Sequence, residues 1–287
     1  MDQIISWLMD GDPAIRWQTM RDLLDAPARV WKAERQRTLE TGWGANFLAR
    51  QAADGRWGGD RSTHSRWGNG IYTPKWTSTT YTLLALIGLG IPNDSKSAQR
   101  GARLVLDTLL GETLEAGFNE RLAYCDRCVV GMLLQIGVYF KIDDDRIEAI
   151  VDNLLNEIMP DGGWNCRRGG YSKPHHSSFN TTINVLEGLH EYMESRRGTR
   201  RKKAIVAEHS ALELMLQHRL FKSDKTGNII NSKFKLLSYP PRWHYDVLRG
   251  LVYFARADAP RDCRLQDAID LLHSQRRTDG LWPVQYK

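Results

Sequence analysis

Three side chains that could exchange a proton with a bound molecule stand just ahead of, or at the start of, apolar runs in this sequence. His244 and Asp246 lie in the stretch PPRWHYDV, and Asp126 lies in RLAYCDRC. An imidazole or a carboxylate at the mouth of a cavity can act as a general acid or base. We therefore predict His244 or Asp246 as the acid or base, and we include Asp126 among the catalytic candidates.

Polar and aromatic residues around these three complete the candidate site. They stand at the starts of four apolar runs whose later halves are aliphatic. A polar, aromatic rim above an apolar floor suits an isoprenoid or another lipid-like molecule, and helix N-termini favour a diphosphate or carboxylate head. Hydrogen bonding inside a buried layer would explain each residue equally well. The predicted substrate-binding residues are Tyr81, Tyr124, Arg127, His176, Asn180 and Trp243.

Metal-binding residue types also occur near this predicted rim, but we predict no metal and no cofactor. Cys125 and Cys128 form a CxxC pair that Cys166 and a histidine, His175 or His176, could join. A zinc ribbon would need a second CxxC pair, which the sequence lacks. Cysteines three residues apart in an apolar helix usually pack as small apolar side chains.

The elements that must position these residues are helices. Nearly every long segment repeats its apolar residues with the 3.6-residue period of a helix, and no segment shows the alternation of a strand. An apolar helix is surrounded by protein, whereas an amphipathic helix has one face in water. The two kinds alternate, so we predict an all-α protein with inner and outer helix layers. The apolar runs are 75–91, 124–140, 176–193 and 242–254, and the amphipathic runs are 93–111, 143–158, 200–220 and 261–275.

The segment before these runs is predicted to hold one more inner and outer pair, at 15–25 and 28–51, with a break at Gly42. A glycine recurs in register in three of the inner runs, at Gly88, Gly188 and Gly250. A missing side chain lets backbones approach each other, so we predict close contact with a neighbouring helix at these positions.

A short motif, [Q/E]…D-G-x-W, recurs where amphipathic runs end. We call it the clasp. Its glycine is predicted to end the helix in the left-handed conformation that glycine adopts at little cost. Its tryptophan is predicted to fold back over the helix end, held by the glutamine or glutamate. The copies span residues 51–57, 157–164 and 275–282.

The clasps carry a resemblance to a known group of proteins. FLARQAADGRW (47–57) resembles the QW motif of the squalene and terpenoid cyclases, and the copies at 154–164 and 271–282 fit it more loosely. Protein prenyltransferase β-subunits carry a weakened form of the same motif. The resemblance implies an (α/α) toroid of alternating inner and outer helices over residues 1–287, as one domain. It also implies a central cavity for an isoprenoid-like substrate.

The chain departs from both families in the residues that do their chemistry. Terpenoid cyclases use a D-x-D-D acid, but the one dense acidic run here, 143–145, opens an outer helix, where carboxylates cap free N–H groups. The prenyltransferases bind zinc with an Asp-x-Cys pair and a later histidine. No Asp-x-Cys occurs at HHSSFNTT, and His244 aligns one residue away from their histidine.

Three functions therefore stay open. The first is an enzyme of this descent acting on an isoprenoid-like substrate with altered chemistry. The second is a non-catalytic helical toroid that binds a lipid, a peptide or a protein. The third is a glycan-processing (α/α) barrel, with Asp126 and Asp246 as its paired carboxylates.

Composition adds limits on partners and location. With a net charge of +6 and 41% apolar residues in 287, the sequence is typical of a globular protein, and we expect no nucleic-acid partner. The start does not read as a signal peptide, and no run reaches the length of a membrane span. We predict a cytoplasmic protein with reduced thiols.

Two further features concern the loops and the end of the chain. The connections at 58–74 and 221–241 are long for helix connections and are predicted to act as lids. The last clasp is followed by five residues, without the inner helix that would close a ring. Three explanations stay open: a truncated chain, an open ring, or a ring closed by a partner chain.

Overall fold

The computed structural model describes residues 3–59, 67–115, 117–166 and 174–285. Over these ranges the protein is all-α, as predicted. The described residues form no strand, and their extended pairing is one isolated antiparallel bridge between Lys222 and Ile229. Residues 60–66 of the predicted lid at 58–74 lie outside the described ranges, as does residue 173 beside the predicted rim.

Helices form in each of the predicted runs, and three short 3-10 segments lie between them, at Arg37–Leu39, Ser232–Lys235 and Cys263–Leu265. In chain order the helices are α1 (Gln3–Met9), α2 (Pro13–Asp22), α3 (Ala28–Gln36), α4 (Gly42–Ala49), α5 (Thr79–Leu89), α6 (Lys96–Leu110), α7 (Phe118–Tyr124), α8 (Arg127–Tyr139), α9 (Asp145–Asn156), α10 (Phe179–Ser195), α11 (Thr199–Gln217), α12 (Val247–Arg256) and α13 (Gln266–Gln275).

Two of these helices were not predicted. α1 and α7 have seven residues each, too few to show a period in the sequence. The predicted apolar run 124–140 begins as a helix at Arg127, because the chain turns by 120° between α7 and α8. The predicted break at Gly42 is confirmed, since this residue begins α4 with φ of +77°.

Contacts between Cα atoms group the chain into two compact units. Unit 1 comprises Met1–Phe118 with Ile136–Asp144, and unit 2 comprises Asn119–Gln135 with Asp145–Lys287. The single domain over 1–287 and its toroidal shape remain predictions.

In unit 1, α2 packs against α1, α3 and α4, and α5 packs against α4 and α6. The end of α5 is held by two side chains from the preceding helices. The Trp17 indole N–H donates to the Leu89 carbonyl at 3.0 Å, and Arg35 Nε donates to the Gly90 carbonyl at 2.6 Å. These bonds satisfy carbonyls that the helix itself leaves without donors.

In unit 2, α11 packs against α9 and α10, and α12 packs against α13. The close approach predicted at Gly188 is confirmed: an added Cβ would collide with the Gly131 carbonyl of α8. The predicted close contact with a neighbouring helix is wrong at Gly250, because Gly250 faces the ring of Tyr245, in the segment just before α12. It is wrong also at Gly88, where an added Cβ would have no atom within 4 Å.

The inner-helix prediction also needs a correction at α12. α10 is buried along nearly its whole length, as an inner helix should be. In α12, however, Leu248 and Val252 are 38% and 57% exposed. The run is apolar enough to read as an inner helix, but in unit 2 one of its faces has no described neighbour over it.

Each clasp follows a helix end, as predicted, but its glycine is not the residue that ends the helix: α4, α9 and α13 end at Ala49, Asn156 and Gln275, five or six residues earlier. The glycines instead close a turn after the helix, with a common geometry. The glycine N–H donates to the carbonyl three residues earlier at 2.9 Å in each copy. The values of φ are +89°, +99° and +83° at Gly55, Gly162 and Gly280. Only a residue without a side chain adopts such angles at little cost.

The tryptophans do fold back over the helix ends, but their partner differs from the prediction. Each indole N–H donates to the carbonyl ten residues earlier, with N–O distances of 2.7, 2.8 and 2.7 Å for Trp57, Trp164 and Trp282. Those carbonyls belong to the last turn of the helix, where no intrahelical donor is available. In the first clasp, the glutamine side chain hydrogen-bonds to the backbone of the clasp instead of to the tryptophan: Gln51 Nε2 donates to the Gly55 carbonyl at 2.8 Å.

Candidate functional site

One predicted site residue, Tyr81, lies in unit 1. It is buried in α5, where its hydroxyl lies 3.0 Å from the Tyr72 hydroxyl. Its ring packs edge to face with the Trp76 ring, with ring centres 4.9 Å apart. The other eight predicted residues lie in unit 2, and they fall into separate groups there.

Three of them, Asn180, Trp243 and His244, meet at a polar cavity of about 140 Å³. Hydrogen bonds to α10 hold the chain that forms its wall. Asn180 Oδ1 accepts the Tyr245 N–H at 2.7 Å, and Asn184 Nδ2 donates to the Trp243 carbonyl at 2.9 Å. The cavity is lined by Asn180, Asn231, Lys233, Phe234, Leu236, Ser238, Trp243, His244 and Tyr245.

The ring of His244 stacks on the neighbouring Trp243, with ring centres 4.0 Å apart and planes tilted by 32°. Its backbone is fixed as well, because Arg249 Nη1 donates to the His244 carbonyl at 2.6 Å. The imidazole is therefore presented to the cavity by a segment that is bound at both ends, to α10 and to α12.

Asp246 has a different position. It caps α12, accepting the Arg249 N–H through Oδ1 at 2.9 Å. Its Oδ2 accepts the Ser238 N–H at 3.1 Å and the Ser238 hydroxyl at 2.5 Å. Both oxygens of this buried carboxylate are thus engaged in holding the segment 238–249 together, which is the capping role that such a position supports.

A second depression, an apolar groove of about 240 Å³, adjoins this segment and shares Ser238 with the polar cavity. Its charged groups are paired: Arg249 makes two hydrogen bonds to Glu187, at 2.8 and 2.7 Å. The groove is lined by Glu187, Ser238, Tyr239, Pro241, Asp246, Leu248, Arg249, Val252, Tyr253 and Arg256.

The remaining predicted residues line neither depression. Arg127 is buried, and its guanidinium donates to Asn153 Oδ1 at 2.5 Å and to the Ala123 carbonyl at 2.9 Å. Tyr124 is 82% exposed at the end of α7, and Asp126 follows it just before α8. His176 lies in the turn before α10, where its carbonyl accepts the Asn165 Nδ2 at 2.8 Å.

The sequence did not single out a pair of thiols in unit 2 as a site of its own. The Sγ atoms of Cys128 and Cys166 lie 3.3 Å apart, and Thr181 Oγ1 lies 3.3 Å from Cys166 Sγ. The hydrogen bond to Cys166 and burial together raise the pKa of Cys128 well above its usual range. The hydrogen bonds from Cys128 and Thr181 outweigh burial at Cys166 and lower the pKa of that thiol.

The sequence analysis connected Cys128 and Cys166 only as possible ligands of one metal ion. That alternative brought Cys166 to the CxxC pair, and the structure does place Cys166 against Cys128. Across the described ranges, no group of three or more His, Cys, Asp or Glu side chains is placed to hold a metal ion.

In the part of the chain that the structure describes, no single helix has both the length and the apolar character needed to cross a membrane. α7 and α8 reach that composition only when counted together across their 120° bend.

No protein-family model, curated protein or solved structure matches this chain.

Proposed function

We propose that unit 2 binds a short isoprenoid-like, or other lipid-like, molecule that carries an anionic head. The observation that carries this proposal is the pair of adjoining depressions, one polar and one apolar, that share Ser238. Their volumes of about 140 and 240 Å³ each fall below the roughly 300 Å³ at which ligand pockets begin, whereas the two together exceed it. A ligand that fills both must be amphiphilic.

The residues that line the polar cavity favour a ligand with an anionic head. None of the nine described residues that line it is acidic, and Lys233 and His244 bring the positive or protonatable groups. Asn231 and Ser238 add polar atoms to the same wall. Lysine binds phosphate as a point charge, so a diphosphate or a carboxylate suits this lining.

The groove supports the apolar tail. Leu248 and Val252 from α12, with Tyr239, give it an apolar wall that is partly open to solvent. Covering such surface stabilises a complex by about 25 cal/mol per Å² of apolar area removed from water. An isoprenoid tail is also the ligand class that the clasp resemblance to the terpenoid cyclases implies.

We propose binding as the function of this site, and we assign any acid–base catalysis to one residue, His244. Of the three predicted acid–base residues, His244 is the one that lines the polar cavity. Asp246 is engaged on both carboxylate oxygens as a helix cap. If a ligand is turned over, His244→Gln abolishes turnover and leaves binding within a few fold of the unaltered protein; unchanged turnover would remove His244 from that role.

Calorimetric titration with geranyl diphosphate tests the proposal, because its two halves can be supplied separately. We expect geranyl diphosphate to bind at least tenfold more tightly than either geraniol or inorganic diphosphate. If inorganic diphosphate binds as tightly as the whole molecule, the groove has no part in binding. If none of the three binds to a folded protein, the proposal is wrong.

Two pairs of variants locate the ligand. Val252→Arg puts a charge into the groove, while Val206→Arg makes the same change at an exposed valine on α11. Lys233→Ala removes a charge from the polar cavity, and Lys225→Ala is its exposed control. Loss of one charged hydrogen bond costs about 1.5–3 kcal/mol, so we expect Lys233→Ala to weaken binding roughly tenfold or more. Val252→Arg places a charge where the apolar tail would lie, so it should also weaken binding, and both controls should have little effect.

A further inference from the structure

The contact between Cys128 and Cys166 joins residues that are far apart in the chain. Cys128 lies in the first turn of α8, and Cys166 lies two residues after the tryptophan of the second clasp. Both are free thiols, and their sulphur atoms are 3.3 Å apart. This separation is near contact distance, and a disulfide requires the two sulphurs to approach to about 2.05 Å.

Their surroundings make the two thiols unequal. Cys166 is half-buried, and its Sγ lies within hydrogen-bond distance of both Thr181 Oγ1 and Cys128 Sγ. Interaction with the backbone N–H of Cys128, at the start of α8, also lowers the pKa of the Cys166 thiol. Donors of this kind, together with a helix N-terminus, stabilise a thiolate. Cys128 is buried, next but one to the carboxylate of Asp126, and keeps its proton.

We propose that Cys166 is a peroxide-reactive thiol and that Cys128 resolves it into an intramolecular disulfide. The substrate class is a hydroperoxide, such as hydrogen peroxide. This proposal is independent of the ligand proposed for the adjoining depressions.

The chemistry has two steps. The Cys166 thiolate attacks one oxygen of the peroxide and the O–O bond breaks, giving the sulfenic acid and hydroxide, which takes up a proton to become water. Cys128 then attacks the sulfenic sulphur. The S–S bond forms, the S–O bond breaks, and the departing oxygen leaves as water with the proton of Cys128. Two thiols are oxidised, and one peroxide is reduced to two waters.

The position of the pair gives such oxidation a structural consequence. A disulfide would tie the chain after the second clasp to the start of α8. Thr181, which contacts Cys166, is followed along the same helix by Asn184 and preceded by Asn180, and both asparagines anchor the wall of the polar cavity.

Peptide mapping of the reduced full-length chain after one equivalent of hydrogen peroxide tests the proposal. Remaining thiols are blocked with N-ethylmaleimide before digestion. We expect a single disulfide-linked peptide pair containing Cys128 and Cys166, formed at a rate that does not depend on protein concentration. Cys263 is exposed and serves as the internal control, expected to stay alkylatable.

Variants then separate the two roles. Cys128→Ser is expected to leave Cys166 as a sulfenic acid that dimedone traps, whereas Cys166→Ser is expected to leave Cys128 reduced. Cys263→Ser should change the rate of disulfide formation by less than twofold. Circular dichroism shows whether each variant is folded, and the mapping of the unaltered chain needs no variant.

Two results would overturn the proposal. One is oxidation of Cys263 while Cys128 and Cys166 both remain alkylatable. The other is a disulfide that joins any other pair of cysteines.

Discussion

Replacing Gly162 with alanine should destabilise this protein much more than the same replacement at Gly280. Both glycines lie in the turn of a clasp that follows a helix, with φ of +99° and +83° and the same N–H to carbonyl bond at 2.9 Å. They differ in what a new methyl group would meet. At Gly162 the Cβ would lie 2.5 Å from Ser210 Oγ and 2.8 Å from the Ser210 carbonyl oxygen on α11; at Gly280 the nearest atom is Arg276 Nη2 at 3.3 Å.

The magnitudes follow from these distances. A non-glycine residue in the left-handed region costs about 1–2 kcal/mol, and this cost applies to both positions. Collision with a packed backbone adds about 1–3 kcal/mol at Gly162, because α11 must shift. The Arg276 side chain can move away from Gly280, so little is added there. We expect Gly162→Ala to lose about 2–5 kcal/mol and Gly280→Ala about 1–2 kcal/mol.

Urea unfolding followed by circular dichroism measures this difference, with the unaltered protein and both variants at one temperature. Gly55→Ala is a third member of the series: its Cβ would meet the flexible Arg100 side chain at 3.2 Å, so it should behave like Gly280→Ala. Equal losses at Gly162 and Gly280, within about 0.5 kcal/mol, would refute the reasoning that the second clasp is fixed by its contact with α11.

Two further predictions concern buried hydrogen bonds in unit 2. Thr182→Val removes the hydroxyl that accepts the Trp164 backbone N–H at 3.1 Å, so thermal unfolding should show a loss of about 1–3 kcal/mol; a neutral result would mean that this N–H has another acceptor. Burial raises the pKa of Glu208, but hydrogen bonds with His190 and Tyr253 outweigh it and hold the pKa below its usual 4.5. A depressed pKa gives stability that is present above pH 4.5 and lost as the pH falls through the lower folded value, so Glu208→Gln should flatten the stability profile below pH 4.5. Parallel profiles for the variant and the unaltered protein would contradict that role.

Periodicity in the sequence predicted most of the fold. Helices such as α6 and α9 carry an apolar stripe over several turns, so their type was clear even though their predicted bounds were too wide. The clasps were readable as turns because the glycine of D-G-x-W adopts a positive φ, but the sequence placed that glycine at the helix end, and the helices end five or six residues earlier. The hydrogen-bond acceptor of the tryptophan indole could not be read from the sequence. It is a backbone carbonyl ten residues earlier, which every residue type has.

The candidate site was predictable only in part. Asn180, Trp243 and His244 stand at the starts of two helices, and the structure brings them together. Arg127 stands at a helix start as well, yet its guanidinium donates to Asn153 and to a carbonyl within the protein and lines neither depression. Residue type alone does not tell a polar group that faces a cavity from one that is bonded within the protein.

The contact between the two thiols was out of reach for a related reason. Cys128 and Cys166 are 38 residues apart, and they meet because α8 begins where the chain bends and the second clasp returns to it. No local pattern encodes such a meeting, and the sequence offered Cys166 only as a residue that could join the CxxC pair at a metal site.

The most direct test of the proposed function is a crystal structure of the chain grown with geranyl diphosphate. We predict the diphosphate within hydrogen-bond distance of Lys233 and the His244 ring, with the geranyl chain lying in the groove along Leu248 and Val252. A ligand bound elsewhere, or both depressions empty at a saturating concentration, would contradict the account.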